Sequence, residues 1–437
     1  MSDKDLLTRS LAAVWHPCTQ MKRHESFPLV PISRGSGVWL YDTDGKRYLD
    51  AVSSWWVNLF GHSNPRINAA ITDQLGKLEH VMLAGFTHEP VVKLSERLAQ
   101  LAPDGLGHCF YASDGAAAVE IALKMSAHYW RNSGQPDKTQ FISLQNSYHG
   151  ETLGALSVTD VALFKDAYGA LVKQNATVLN PDSRDAAPGE TAHDYALRCA
   201  AQLEQHLQQH HHELAAFIIE PLVQGAAGMA MYHPVYLTRA CDLCEEYNVH
   251  LIADEIAVGM GRTGTMFACE QGEITPDFLC LSKGITGGYL PLSVVMTTNK
   301  IYNAFYDNDV TRGFLHSHSY TGNPLACRAA LATLEIFSTD DVLNANRVTA
   351  AYLNSICAPL QNHPKVKNFR NRGMIWAFEV ESPHADFAQR CFALALQHEL
   401  LLRPMGNTVY FMPPYVITQE EMDILISRTL DVIEQLT

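Results

Sequence analysis

The chain has 437 residues, 47% of them hydrophobic and 18% charged, with a formal net charge of -14. That much apolar material builds a large core and more than one lobe, and the acidic balance excludes an electrostatic grip on nucleic acid, which needs clustered Lys and Arg. The ten cysteines stand at irregular distances, which suits reduced thiols in a cytoplasm better than a disulfide framework, and a small-molecule partner is the expectation.

The N-terminus, MSDKDLLTRSLAAVWHPC, carries acids and lacks an apolar core followed by a cleavage site, so secretion is not expected. No run of about 18 apolar residues follows, so neither is membrane insertion. The first sixty or so residues hold short alternating runs: VWLYD and KRYLD flank Thr43-Asp44-Gly45 and predict a β-hairpin. From about residue 66 to 330, the strand-like runs HCFYAS, TQFISL, AAFIIE, VHLIADE, DFLCLSK and LPLSVVMTT alternate with helical patterns. Such alternation predicts βαβ units and a mainly parallel sheet covered on both faces. Beyond residue 330 the pattern turns helical (ACRAALATLEIF, TAAYLNSICAPL) and then offers MIWAFEV and TVYFMPP before a last helix, which predicts a second, α+β lobe. The boundaries drawn are 1–65, 66–330 and 331–437, with the two lobes expected around a shared cleft.

Two tempting motifs read as ordinary helix. Cys241 and Cys244 form a CxxC inside PVYLTRACDLCEEYNVH, at helical spacing and with no second CxxC to complete a zinc site. His210, His211 and His212 close the helical stretch LRCAAQLEQHLQQ, where a helix C-terminus favours partial positive charge. No metal is expected.

Ligands of open α/β sheets gather at the carboxyl ends of strands. The apolar runs end in Ser113-Asp114-Gly115, Glu220-Pro221, Asp254-Glu255 and Ser282-Lys283-Gly284. After the first, Ala118, Ile121, Ala122, Met125 and Tyr129 mark the buried face of a helix. Small residues at its start let backbone N–H groups approach an anion, although Asp114 as a plain N-cap explains the same letters. A carboxylate at Asp254 is costly unless paired. Lys283, set between a buried strand and Gly284, has little reason to be a solvated charge. A lysine pKa of about 10.4 falls on burial, and an amine so tuned forms a Schiff base with an aldehyde. Pyridoxal 5′-phosphate (PLP) supplies an aldehyde, a phosphate and a ring nitrogen that pairs with a carboxylate.

In order along the chain, SDGAAAVEIALK, NSYHGET, ADEIAVGMGRTG, LSKGITGG and HSYTGNPLACRAA resemble the class III aminotransferases of fold type I, and nearly the whole chain takes part. The resemblance implies a large α/β domain with a mainly parallel sheet of the seven-stranded type and a small α+β domain drawn from both termini. It implies PLP bound by Lys283, which then shuttles the proton, with Asp254 keeping the ring nitrogen protonated. Tyr148 and Ile256 would hold the two ring faces, and Gly115 and Ala116 would bind phosphate through their backbone. Ser319 would reach the phosphate of a neighbouring subunit, so a homodimer with shared sites is implied.

Within the class, Trp15-His16-Pro17-Cys18-Thr19-Gln20-Met21, Ser53-Ser54-Trp55-Trp56 and the segment 402–415 are similar to the branch that aminates 8-amino-7-oxononanoate in biotin synthesis, with S-adenosylmethionine as usual donor. A long keto-amine with a distant carboxylate needs an apolar tunnel ending in a cation. Trp55, Trp56, Arg403 and Tyr410, beside Tyr148 and Lys283, are the residues implied to bind it. Ala257 fits too, since many other branches of the class place Gln there. The chain departs from the branch at Cys18, where Tyr is usual, at Asp114 and Ala116 in the phosphate cup, and at Glu151, where Asp is common. Rival readings are another ω-amino acid or diamine transaminase, a PLP aminomutase or decarboxylase, and a catalytically silent PLP-fold scaffold.

Overall fold

The computed structural model describes residues 3–27 and 29–437, which form two compact units. The larger comprises 66–347 and 372–374. Its strands are β1 (Leu106–Ala112), β2 (Gln140–Leu144), β3 (Ala176–Val178), β4 (Leu214–Ile219), β5 (His250–Asp254), β6 (Phe278–Leu281) and β7 (Ser293–Thr298). They form one sheet in the order β1-β7-β6-β5-β4-β2-β3. Each neighbouring pair is parallel from β6 through β3, while β7 runs antiparallel to both β6 and β1. A mainly parallel, seven-stranded sheet is thus present as expected. The direction of β7 is not encoded in an apolar run, because burial on both faces erases the alternation that distinguishes strand classes.

Every residue of β4, β5 and β6 is buried. Phe217, Ile218 and Ile219 alone each contribute roughly 1.5–3 kcal/mol by leaving water. The principal helices are α1 (Glu89–Leu101), α2 (Gly115–Asn132), α3 (Ala192–His210), α4 (Val235–Glu246) and α5 (Pro324–Thr339). The predicted face of α2 is buried, and Ala117, Val119, Leu123, Ser126 and Trp130 are buried beside it: Ala118, Ile121, Ala122, Met125 and Tyr129 join the core with Ala215, Ile218, Ile252 and Phe278. Asp114 caps α2 by accepting from the Ala117 N–H at 3.0 Å, so the N-cap reading of that letter holds.

At the amino ends of β4 and β5, Lys138 is buried and donates to the carbonyls of His211, Leu214 and Asn248 at 2.7, 3.0 and 2.8 Å. Its ammonium also lies 4.5 Å from the Trp130 ring centroid. One cation thereby satisfies carbonyls where β4 and β5 begin. Cys241 and Cys244 sit on α4 as free thiols, and His210 ends α3 with Nδ1 2.8 Å from Glu213 Oε1. Among the described residues no cluster of His, Cys, Asp and Glu is arranged to hold a metal ion, and no helix is long and apolar enough to cross a membrane.

The larger unit continues to 347 rather than ending at 330. Its helix α5 buries nearly every face, packing on α1 and on the turn Lys283–Thr286, so an apolar stretch that reads as the start of a new lobe belongs to the old one.

The smaller unit comprises 1–65, 348–371 and 375–437 and therefore includes both termini. Strands Ile32–Ser36, Trp39–Asp42, Arg47–Asp50 and Leu400–Leu401 form one sheet, and Val366–Arg372, Ile375–Val380 and Thr408–Phe411 another. The expected hairpin is present: Asp42 Oδ1 accepts from the N–H groups of Asp44 and Lys46, and Gly45 turns the chain at φ 85°.

Candidate active site

Strand register places the chemistry in the larger unit. Ile219 of β4 pairs with Ala253 of β5, and Asp254 pairs with Cys280 of β6. Glu220, Asp254 and Lys283 therefore leave three adjacent strands at their carboxyl ends. Lys283 has φ 44° and opens a short 3-10 turn to Thr286 that Gly287 closes at φ 64°. A non-glycine residue in that left-handed region is strained, and here the strain bends the chain just where the amine leaves the sheet. Burial lowers the Lys283 amine below the usual lysine range, while Asp254 and Glu220 pull it back up.

Asp254 is 5% exposed. Its Oδ1 accepts from the Ile256 N–H at 3.1 Å and its Oδ2 lies 2.8 Å from His149 Nδ1. With Asp254 a carboxylate, Nδ1 of His149 carries the proton and donates it; His149 Nε2 is buried without a partner.

The loop after β2 is pinned residue by residue. Ser147 Oγ donates to the Val158 carbonyl (2.9 Å), the Tyr148 N–H to Glu220 Oε2 (3.0 Å) and the His149 N–H to Thr159 Oγ1 (3.0 Å). The Tyr148 hydroxyl donates to Glu151 Oε1 at 2.9 Å, and its ring meets Phe164 edge-on at 5.4 Å. Gly150, at φ 119°, lies so near Ala116 that an added Cβ would stand 2.7 Å from the alanine's Cβ. Likewise a Cβ at Gly115 would meet Ile256 Cγ2 at 2.9 Å. Gly115 and Ala116 open α2, so their N–H groups have no acceptor within the helix. A close-packed mouth with free amides is what an anion needs.

The structure thus brings Lys283, Asp254, Tyr148, Ile256, Gly115 and Ala116 to one set of neighbouring strand and helix ends. Ser319 is exposed on the segment entering α5, where His316 Nε2 and His318 Nε2 are 3.0 Å apart. The donor set of one desolvated amine, one hydrogen-bonded carboxylate and the first-turn amides of a helix fits a phosphorylated pyridine aldehyde. His149 was not singled out in the sequence; it stands inside NSYHGET, but its partner Asp254 lies 105 residues away.

A second cluster lies in the smaller unit. Ser53, Ser54, Trp55 and Trp56 have φ of 50, 46, 72 and 73°, a left-handed helical turn built without glycine. Its internal bonds run from the Trp56 N–H to Val52 O (2.8 Å) and from the Val57 N–H to Ser53 O (3.0 Å). L-residues pay roughly 1–2 kcal/mol each for this handedness, and Asp50 offsets it. Fully buried, Asp50 accepts from the N–H groups of Val52 and Ser54, from Ser54 Oγ at 2.7 Å, and pairs with His62 Nε2 at 3.0 Å. Ser53 Oγ donates to Met412 O at 2.7 Å.

The turn separates the two tryptophans. Trp56 is buried, donating Nε1 to the Tyr410 hydroxyl at 3.0 Å, and burial pushes that phenol up to about 12. Trp55 is 42% exposed, with the Arg403 guanidinium 4.2 Å from its ring centroid. Trp55, Arg403, Cys18, Arg23 and Phe392 line one cavity of about 560 Å³. Trp56 and Tyr410 do not line it.

The model of the family "Aminotransferase class-III" matches residues 20–433. The chain is 46% identical to the adenosylmethionine-8-amino-7-oxononanoate aminotransferase of Helicobacter pylori, covering 99% of this chain and 98% of that one. It superposes on the crystal structure of the enzyme of that name from Methanocaldococcus jannaschii with a TM-score of 0.93, at 36% identity, over 99% of this chain and 100% of the other. An amine transaminase from an uncultivated Pseudomonas species, solved in its PLP-bound form, gives 0.90 at 31% identity, over 97% and 99%. By sequence along almost its full length and by fold, the chain belongs to the class III aminotransferases.

Proposed function

We propose that this chain is a PLP-dependent enzyme that transfers an amino group to 8-amino-7-oxononanoate, giving 7,8-diaminononanoate, with S-adenosylmethionine as donor. It acts as a cytoplasmic homodimer in biotin synthesis. The observation that carries the reading is the pairing of a desolvated amine, Lys283, with a buried, doubly hydrogen-bonded carboxylate, Asp254, at adjacent strand ends.

When bound, the cofactor supplies an aldehyde for covalent attachment and an electron sink for carbanion chemistry. Lys283 Nζ would hold the cofactor and would carry the proton to and from the substrate carbon, a role that typically contributes roughly 10² to 10⁴-fold. Asp254, held by Ile256 N–H and His149, would pair with the ring nitrogen. Tyr148 and Ile256 would hold the ring, Gly115 and Ala116 would bind phosphate through N–H groups, and Ser319 would reach the phosphate held by a second copy. Trp55 gives the aliphatic chain an apolar wall and Arg403 binds its carboxylate, with Trp56 and Tyr410 fixing the wall.

Support comes from the printed activity of the relatives and from Trp55 and Arg403 sharing a cavity. Cys18 in that cavity, where the branch usually has Tyr, favours a second reading: an ω-amino acid or diamine transaminase on the same scaffold. A donor series separates them. S-adenosylmethionine, lysine and a simple ω-amino acid are offered in turn with 8-amino-7-oxononanoate, and diamine product is measured. Product with S-adenosylmethionine is expected; turnover only between an ω-amino acid and pyruvate contradicts the assignment.

A further inference from the structure

Glu220 is an acid at the strand ends to which the proposed chemistry gives no task. It follows Ile219 at the end of β4, beside Asp254 on β5, where neighbouring strands lie about 4.8 Å apart. It is 5% exposed. Each oxygen has one backbone donor: Oε2 accepts from the Tyr148 N–H and Oε1 from the Gly225 N–H, both at 3.0 Å. Tyr232, just past the short strand Ala230–Met231, donates its hydroxyl to the Glu220 carbonyl at 2.7 Å, closing the turn from behind.

These bonds make Glu220 the anchor of the Tyr148 backbone. The anchor itself favours a carboxylate, because a single carbonyl would serve one of the two N–H groups while its amide nitrogen faced the other. The charges around it give that carboxylate a further role. Lys283 from the turn after β6, Asp254 from β5 and His149 from the loop after β2 all act on it electrostatically, and Tyr232 feels it in turn. Burial and Asp254 push the Glu220 carboxyl up, His149 and the two N–H groups pull it down, and it settles at about 7.

We propose that Glu220 is a positioning residue of the transamination site: its carboxylate pins the Tyr148 backbone beside Asp254 and stands as a second anion at the strand ends where Lys283 emerges. The inference rests on Lys283 being the attachment lysine. The sign is fixed by electrostatics: an anion in a poorly screened interior stabilises a cationic nitrogen, and removing it makes that nitrogen release its proton at lower pH.

The test is a pH titration of the visible absorption of the cofactor-loaded protein, in the wild type, in Glu220→Gln and in Glu220→Asp. The midpoint in Glu220→Gln is expected to fall by roughly half a pH unit or more. Glu220→Asp keeps the charge but withdraws it by one methylene, so its midpoint should fall less; it serves alone if the glutamine variant does not accumulate as folded protein. An unchanged or raised midpoint in either folded, coloured variant overturns the proposal. Failure of the underlying reading looks different, because then the wild type and Lys283→Ala show the same spectrum.

Discussion

The two clusters of this protein are built by opposite means. At the strand ends of the larger unit, regular β-structure does the positioning: parallel register sets Glu220, Asp254 and Lys283 side by side, and only Lys283 leaves ordinary backbone geometry. In the smaller unit the backbone itself is the device. Four consecutive left-handed residues turn Trp55 out toward a cavity and Trp56 in toward Tyr410, and one buried carboxylate, Asp50, holds the turn. Function placed on regular elements tolerates replacement of supporting residues better than function placed on a strained turn, which depends on each hydrogen bond that opposes the strain.

Breaking the first cluster gives the largest effects. Lys283→Ala should retain the fold, checked by circular dichroism, yet lose transamination by roughly 10⁴-fold or more, because it removes both the covalent link and the proton carrier. Asp254→Asn should still bind cofactor but lower kcat on the order of 10²-fold with little change in KM, as expected for lost charge stabilisation; full activity in that variant would assign the task to another acid.

Smaller effects sharpen the contrast by striking the second cluster. Arg403→Ala should raise KM for the keto-amine roughly 10- to 100-fold through the loss of a charge-assisted hydrogen bond, while the half-reaction with the donor proceeds at its normal rate. Asp50→Ala leaves the Val52 and Ser54 N–H groups, Ser54 Oγ and His62 Nε2 without their acceptor, for a loss of about 3 kcal/mol in urea unfolding, and it should raise the same KM with donor chemistry preserved. An Asp50→Ala protein with unaltered stability and KM would show that the turn holds itself.

The smallest expected effect concerns pH. Burial raises Glu255 to about 7 against the bonds it accepts from Ala268 and Cys269 N–H. A carboxyl raised on folding binds its proton more tightly in the native state, so its stabilising contribution is complete below about 4.5 and is lost as pH climbs through about 7. The urea midpoint should therefore fall less between pH 6 and pH 8 in Glu255→Gln than in the wild type; an equal fall would place the titration elsewhere.

The strand-end cluster could be read in the sequence because each apolar run has a polar residue at its end, and parallel α/β sheets make that position chemically special. The hairpin around Gly45 and the cap at Asp114 were legible for a similar reason, since local backbone demands select particular residue types. Other features leave no such mark. Nothing in Ser53-Ser54-Trp55-Trp56 announces a left-handed turn, as no glycine or asparagine is present; the turn is imposed by Asp50 and Met412, one of them more than 350 residues away. His149 is invisible for the same reason, its role being defined by a partner on another strand. The extent of the larger unit was misplaced at 330 because α5 is apolar on nearly all sides, and such a helix shows no face that says which lobe it joins.

The central claim is that the Lys283 amine is the group that binds the cofactor's aldehyde. It is tested most directly by reducing the cofactor-loaded protein with borohydride, digesting it and locating the added mass by mass spectrometry. The account predicts one modified peptide carrying the cofactor on Lys283. The same mass on another lysine, such as Lys138 or Lys300, or no covalent adduct at all, would contradict it.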